Sequence, residues 1–412
     1  MSIHHDNSKV FMAFSDVTRL RIIELLRSGE MSATVLCEKV DTGQSTLSHH
    51  MRILTESGVV TARKEGKWTF YSISESGRHY AAGLLKYLTA KTCIAGKTHK
   101  SYILENQRRN ETVKPFTIVV DTSCDLTPEF IKKHKIEVMP IPFILDGEEH
   151  SDGYWQKITG GEFYDVLRLG GVAKTSQINP DSFVKAFTKH AEQGSDVIYI
   201  ILSAALSATY QSSQIALAEI KETYPDCNIF AIDSISATVI STLLVMSAVS
   251  KRDEGFSAEE TVAWLEEKKN YMFGVFTVDD LMYLHRGGRL SKLSAIGGSV
   301  LGIKPILSIN YDGSLGLKEK ARGRENSLKA LISYMEKSTE KGAVIENVLI
   351  PHTDSEEDAL KLAKMVRETF DVRNIELILM CPVVGAHVGP GTIALVYESN
   401  ITREEFEKKY YN

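Results

Sequence analysis

The chain has 412 residues, of which 43% are hydrophobic and 25% charged, and it carries a formal charge of -5. That length favours two or three domains over one, and the composition excludes collagen-like, low-complexity and disordered classes. No apolar run reaches the roughly 20 residues a membrane helix needs, and the start "MSIHHDNSKV" has no apolar signal core, so a cytoplasmic location without membrane insertion is expected.

The charge is uneven. Residues 1–100 hold 14 Lys and Arg against 9 Asp and Glu, whereas the remaining 312 hold 34 against 44. A basic head on an acidic body is expected where only the head meets a polyanion. The five cysteines, Cys37, Cys93, Cys124, Cys227 and Cys381, are odd in number and form no CxxC pair, so they read as reduced thiols.

In chain order, "SATVLCEKVDTGQSTLSHHMRILTESGVV" reads as two short helices around the turn "DTG", with glycine at the reversal. In the second helix Leu47, Met51 and Leu54 recur at i, i+4 and i+7 and form the stripe to be buried. Gln44, Ser45, Thr46, Ser48, His49 and Arg52 then face outward, with hydrogen-bonding groups able to reach base edges or phosphates and no acidic residue among them. The run "VVTARKEGKWTFYSIS" reads as a hairpin turning at "EGK", and Arg63, Lys64 and Lys67 make it a basic wing for the phosphate backbone.

A helical stretch from about Gly77 to Leu104 follows, and then the polar tract "ENQRRNETVKP", which has no apolar period and reads as a linker over residues 105–115. From Phe116 short β-branched runs alternate with amphipathic segments. The strands expected are "FTIVVD", "IEVMPIPFIL", "DVIYIIL" and "NIFAID", with helices between them, the pattern of a parallel α/β sheet. Ligands of such sheets bind beyond the carboxyl ends of the strands, where Asp121, Thr175, Ser203, Ser207 and Asp233 fall.

The stretch "SAALSATYQSS" stands where "DVIYIIL" hands over to a helix. Ala205 and Ala208 flank Ser207, so it lacks the G-x-S-x-G elbow of a hydrolase serine. A helix N-terminus offers free N–H groups and partial positive charge, and the hydroxyls of Ser207, Thr209 and Thr175 would complete a site for one small anion. Ser203 or Ser207 acting only as a helix cap is the competing reading.

Two resemblances add to these readings. "FMAFSDVTRLRIIELL", "QSTLSHHMRIL" and "ARKEGKWTFYSI" resemble the opening helix, recognition helix and wing of the ArsR family of winged-helix repressors. The resemblance implies DNA as partner, a palindromic site and a homodimer paired through terminal helices, with Gly77 to Leu104 as the candidate dimer helix. ArsR relatives that sense metals use a cysteine pair before the recognition helix. Here Cys37 stands alone and His79 and Cys93 are far apart, so no metal is expected and the signal must come from the body.

"VVDTSCDLTPEF", "KTSQINPDSF", "SAALSATYQSS", "FAIDS", "VDDLMYLHRGGRLSK", "GIKPILSI" and "GAHVGPGTIAL" are similar, in order and spacing, to the motifs of the DegV family of fatty-acid-binding proteins. The resemblance implies a two-lobed body, a parallel α/β lobe and a lobe with an antiparallel sheet, enclosing an acyl chain. It assigns the carboxylate to Thr175 and Ser207, with Ser203 as the alternative serine. His387 is a further candidate for the head-group pocket or a structural donor, and Arg286 and Arg289 stand at its mouth or are solvated charges. Ala205 and Ala208 replace glycines usual in the family.

The expected architecture is therefore an α/β multidomain chain: a winged helix-turn-helix over residues 1–104, a linker over 105–115 and a DegV-like body over 116–412. The expected function is a DNA-binding regulator that senses a long-chain fatty acid; the alternative is a carrier presenting acyl chains to a fatty-acid kinase. No catalysis and no cofactor beyond the bound fatty acid are expected. Burying about 14 methylenes at about 0.8 kcal/mol each gives on the order of 11 kcal/mol before ordering costs, which suits a lipid better than a polar metabolite.

Overall fold

The computed structural model describes residues 3–66, 68–74, 77–78, 80–81, 84–85, 114–151, 157–289 and 302–411. Lys67, His79, Cys93 and most of the candidate dimer helix lie outside the described residues. The chain divides into two compact units, Met1–Thr112 and Val113–Asn412.

In the first unit the order is α1 (Ile3–Phe14), α2 (Val17–Leu26), β1 (Met31–Ser32), α3 (Ala33–Val40), α4 (Gln44–Glu56), β2 (Val60–Glu65) and β3 (Trp68–Ile73). The segment read as one opening helix is two. Asp16 is extended and its side chain accepts from the Arg19 N–H, so it caps α2 and breaks the helix behind Phe14. The turn between α3 and α4 differs from expectation as well. Asp41 takes the left-handed conformation with φ 52°, while Gly43 is extended with φ -69° and precedes α4. A short polar side chain tolerates that region, so the reversal does not draw on glycine. Leu47, Met51 and Leu54 are buried with Ile22, Leu26 and Leu36, and β1, β3 and β2 form an antiparallel three-stranded wing sheet.

The second unit starts with β4 (Phe116–Asp121), a 3-10 turn (Thr122–Cys124), α5 (Pro128–His134), β5 (Glu137–Met139), β6 (Phe143–Leu145) and β7 (Glu148–His150). Next come α6 (Gly160–Arg168), β8 (Ala173–Thr175), α7 (Pro180–Glu192), β9 (Asp196–Ile201), α8 (Thr209–Thr223), β10 (Ile229–Asp233), α9 (Val239–Asp253) and α10 (Ala258–Lys268). The rest is β11 (Met272–Thr277), α11 (Met282–Arg286), β12 (Ile303–Ile309), β13 (Leu315–Arg322), α12 (Arg324–Ser338), β14 (Val344–His352), α13 (Glu356–Thr369), β15 (Asp371–Leu379), α14 (Pro382–Val388), β16 (Ile393–Glu398) and α15 (Arg403–Tyr410).

A parallel sheet of order β10-β9-β4-β5 forms one lobe. All six residues of β9 are buried, as a strand covered on both faces requires. The other lobe is a six-stranded sheet of order β13-β12-β11-β16-β14-β15, antiparallel except for the parallel β14–β15 pair. The segment "IEVMPIPFIL", read as one strand, is split: β5 joins the parallel sheet and β6 joins a small sheet of order β7-β6-β8. Pro140 and Pro142 cause the split, because neither offers an N–H to a ladder.

Candidate functional site

On α4 the burial of Leu47, Met51 and Leu54 leaves Gln44, Ser45, Thr46, Ser48, His49 and Arg52 exposed. Ser48 Oγ donates to the Gln44 carbonyl, 2.8 Å away, so its hydroxyl is occupied within the helix. Arg63 donates from Nη2 to Glu30 and from Nη1 to Glu65, each at 2.7 Å, so this predicted phosphate contact starts out ion-paired. Lys64 is exposed.

Pattern reading missed a buried polar junction behind this surface. Arg19 on α2 donates from Nε to the Met12 carbonyl (3.0 Å), and its Nη1 lies 3.5 Å from Nδ1 of His50 on α4. The same ring nitrogen is 3.5 Å from the Asp16 carboxylate. The signal available was the polar His50 on the apolar side of the stripe.

In the body a cavity of about 200 Å³ lies at the carboxyl ends of the parallel strands, bounded across by the six-stranded sheet. Ile240, Phe276, Ile309, Leu315, Met380 and Val396 are part of its apolar wall, and Thr175, Ser207, Arg289 and His387 stand together at a polar end. Thr175 ends β8, Ser207 and Ala208 precede α8, and His387 lies in the last turn of α14.

Thr175 Oγ1 is 2.8 Å from His387 Nε2. Burial, with the Arg289 charge second, pulls the His387 pKa down to about 4, so the imidazole is neutral at pH 7. Its Nδ1 is buried, has no hydrogen-bond partner among the described residues, and faces Gly287 so closely that a Cβ there would lie 2.2 Å away. A proton on Nδ1 would be a buried donor without acceptor, whereas one on Nε2 donates to Thr175. The Nε2–H tautomer is therefore favoured, and it leaves the Thr175 O–H free to donate to a ligand oxygen.

Arg289 links two walls of the site. Its Nε donates to the Leu206 carbonyl (3.0 Å) and its Nη1 to the Gly287 carbonyl (2.5 Å). The bonds aim a half-buried guanidinium at the polar end, and burial lowers its pKa. Arg286 is exposed beside the Tyr283 ring, 5.9 Å from its centroid, and lines an adjoining open cleft with Thr175, Arg289 and His387.

Ser207 Oγ donates to Thr209 Oγ1 (3.0 Å) and accepts from the Thr209 N–H (3.2 Å). Ser203 is elsewhere: fully buried, it donates to the Gly313 carbonyl (2.9 Å) and accepts from the Ala205 N–H (3.2 Å), off the cavity wall. Its hydroxyl joins the turn between β12 and β13 to the parallel lobe. The cap of α8 is Ala208, with φ -77° and no side-chain bond, so the alanine in place of a usual glycine is held without left-handed strain. Ser207 and His387 each bond a threonine and not each other, so the nucleophile–base pair of a serine hydrolase is not formed here.

Among the described residues no group of three or more His, Cys, Asp or Glu is placed to hold a metal, and no helix is long and apolar enough to cross a membrane.

The family described as "Uncharacterised protein, DegV family" matches residues 115–400, and "Bacterial regulatory protein, arsR family" matches residues 16–62. A DegV domain-containing protein of Clostridium perfringens is 39% identical over 285 residues, 69% of this chain and 98% of that protein. Among solved structures, a DegV lipid-binding protein of Thermotoga maritima matches with TM-score 0.62 and 28% identity, over 70% of this chain and 99% of that one. A stearic-acid-binding protein of Eubacterium ventriosum matches with TM-score 0.61 and 28% identity, over 70% and 99%. The chain belongs to the DegV family and carries an ArsR-family helix-turn-helix ahead of its DegV body.

Proposed function

We propose that this chain is a cytoplasmic transcription regulator that binds DNA through α4 and the wing and senses a long-chain fatty acid held in its body. The observation that carries the ligand reading is a cavity with a mostly apolar lining into which Thr175, Ser207, Arg289 and His387 bring hydroxyls, a positive charge and an imidazole. Thr175 offers a free hydroxyl to a carboxylate, Ser207 a second one once its O–H turns from Thr209 to the ligand, Arg289 offers a fixed positive charge, and the acyl chain takes the apolar part of the lining. The Thermotoga and Eubacterium relatives, described as lipid- and stearic-acid-binding, support the same ligand class.

The DNA reading is supported by the exposed polar face of α4 and by the arsR-family match. A homodimer is supported by apolar side chains exposed around the α1–α2 corner, Phe11, Phe14, Val17 and Leu20, with Val17 83% exposed. The body acts as a binding module, not an enzyme: loading shifts operator affinity by population shift between states of the dimer.

The test is to identify by mass spectrometry what co-purifies with wild type and with Thr175→Ala/Ser207→Ala, then to titrate selected DNA with and without that ligand. A fatty acid lost in the double variant and a ligand-dependent DNA affinity support the reading. Equal affinity with and without ligand removes the sensing role. Acyl phosphate formed from loaded protein, ATP and a fatty-acid kinase would favour the carrier alternative.

A further inference from the structure

We propose that Asp125 is the positioning residue of the carboxylate cradle: it ties the start of helix α14 to the loop before α9, and thereby sets where His387 holds Thr175. The inference rests on the fatty-acid reading above.

Asp125 lies just beyond the 3-10 turn after β4, at φ 52°, and its side chain is turned into the protein, 4% exposed. One carboxylate oxygen accepts from the backbone N–H of Cys381 at 2.7 Å; the other accepts from Thr238 Oγ1. Cys381 caps α14, the helix that ends with His387, and Thr238 caps α9. Thr238 and Met380 both line the cavity, so the carboxylate stands directly behind two of its walls.

The backbone around this knot is itself unusual. Ile235 and Thr238 have φ 45° and 53°, a region β-branched residues avoid, and such conformations persist only where surrounding bonds hold them. The Ile235 carbonyl accepts from Arg403 Nη1 (2.8 Å) and the Ser236 carbonyl from the Ser203 N–H (2.8 Å). Further along α14, Gly385 packs against Tyr164, whose hydroxyl donates to the Met380 carbonyl (2.7 Å). With Asp125 at its start and Tyr164 at its middle, α14 has a fixed height above the cavity, and His387 meets Thr175 at 2.8 Å. The titratable groups facing the carboxylate are Asp121, Cys124, Cys381 and Tyr164.

A positioning role differs from a structural one in which part of the ligand it affects. Full-length protein is freed of lipid and its affinities for palmitate and 1-hexadecanol, matched in chain length, are measured. Wild type should favour the acid by at least about tenfold. Asp125→Ala should lower that ratio by about tenfold or more while hexadecanol affinity stays within about threefold, and Asp125→Asn, whose amide oxygen still accepts from Cys381, should restore most of it. If Asp125→Ala does not fold, Thr238→Val, which removes one bond to the carboxylate, should lower the ratio by about threefold. An unchanged ratio, or equal loss of both ligands, overturns the inference. Wild type that binds neither ligand overturns the fatty-acid reading instead.

Discussion

In the head, Leu47, Met51 and Leu54 are buried while Ser45, Thr46, Ser48, His49 and Arg52 on the same helix are exposed. In the body, Thr175, Ser207, Arg289 and His387 come from four separate segments and meet at the end of a cavity. The two candidate sites are built in opposite ways. A surface that reads a large polyanion needs side chains projecting from one rigid element, and adjacent residues on a helix supply them. A site that holds a small amphiphile must remove it from water, which takes contributions from several elements and leaves buried polar groups that each need a partner.

This contrast sets the scale of the effects expected. The largest belongs to the body: Thr175→Val combined with Ser207→Ala removes both hydroxyls from the cradle and should weaken fatty-acid affinity by about 100-fold or more, read by calorimetry on lipid-free protein. DNA affinity of the unliganded protein should stay within about twofold. Next, Leu54→Ala in the stripe should destabilise the head by about 2–5 kcal/mol, read by thermal or urea unfolding, while fatty-acid binding persists. Arg52→Ala should weaken binding to selected DNA by about tenfold, with the salt dependence flattened by about one ion if its contact is to phosphate.

A pH experiment sharpens the comparison, because the body's buried groups titrate with opposed signs. Burial raises Asp125 from 3.8 to about 6, so between those values the folded protein binds more protons than the unfolded chain, and this contribution to stability is lost as pH rises through the window. Buried Asp121 is shifted in the same direction. Burial lowers His387 from 6.5 to about 4, so its contribution is present above 6.5 and lost as pH falls towards 4. Urea midpoints from pH 4 to 7 should rise more steeply with pH in Asp125→Asn than in wild type, and less steeply in His387→Gln. The smallest effect belongs to the wing: Glu30→Gln releases one ion-pair partner of Arg63 and should raise DNA affinity by no more than about threefold.

The first site was more legible in the sequence than the second. Apolar spacing alone picked out the buried stripe of α4 and its outward face, because a helix converts position into direction. The same reasoning missed the Arg19–His50–Asp16 junction, since an apolar pattern says nothing of polar groups that become buried together. The resemblance to an ArsR opening helix, for its part, took α1 and α2 as one helix, where the Asp16 cap breaks the run. In the body the strand-to-helix transitions pointed to Thr175 and Ser207. Ser203, four residues from Ser207 and equally polar, is on the cavity's outside and serves Gly313. No spacing separates two such serines, because their roles depend on a turn more than 100 residues away.

The sequence by itself determined the alternation of strands and helices, the stripe and polar face of α4, and the division between a basic head and an acidic body. These follow from local rules: periodicity, turn residues and charge. Only the tertiary structure decided which two sheets the halves of "IEVMPIPFIL" join, that His387 bonds Thr175 through Nε2, that Arg289 spans from Leu206 to Gly287, and that Asp125 joins Cys381 to Thr238. Each of these depends on the distance between residues remote in the chain, and in a packed interior that distance is set by the whole arrangement of both lobes.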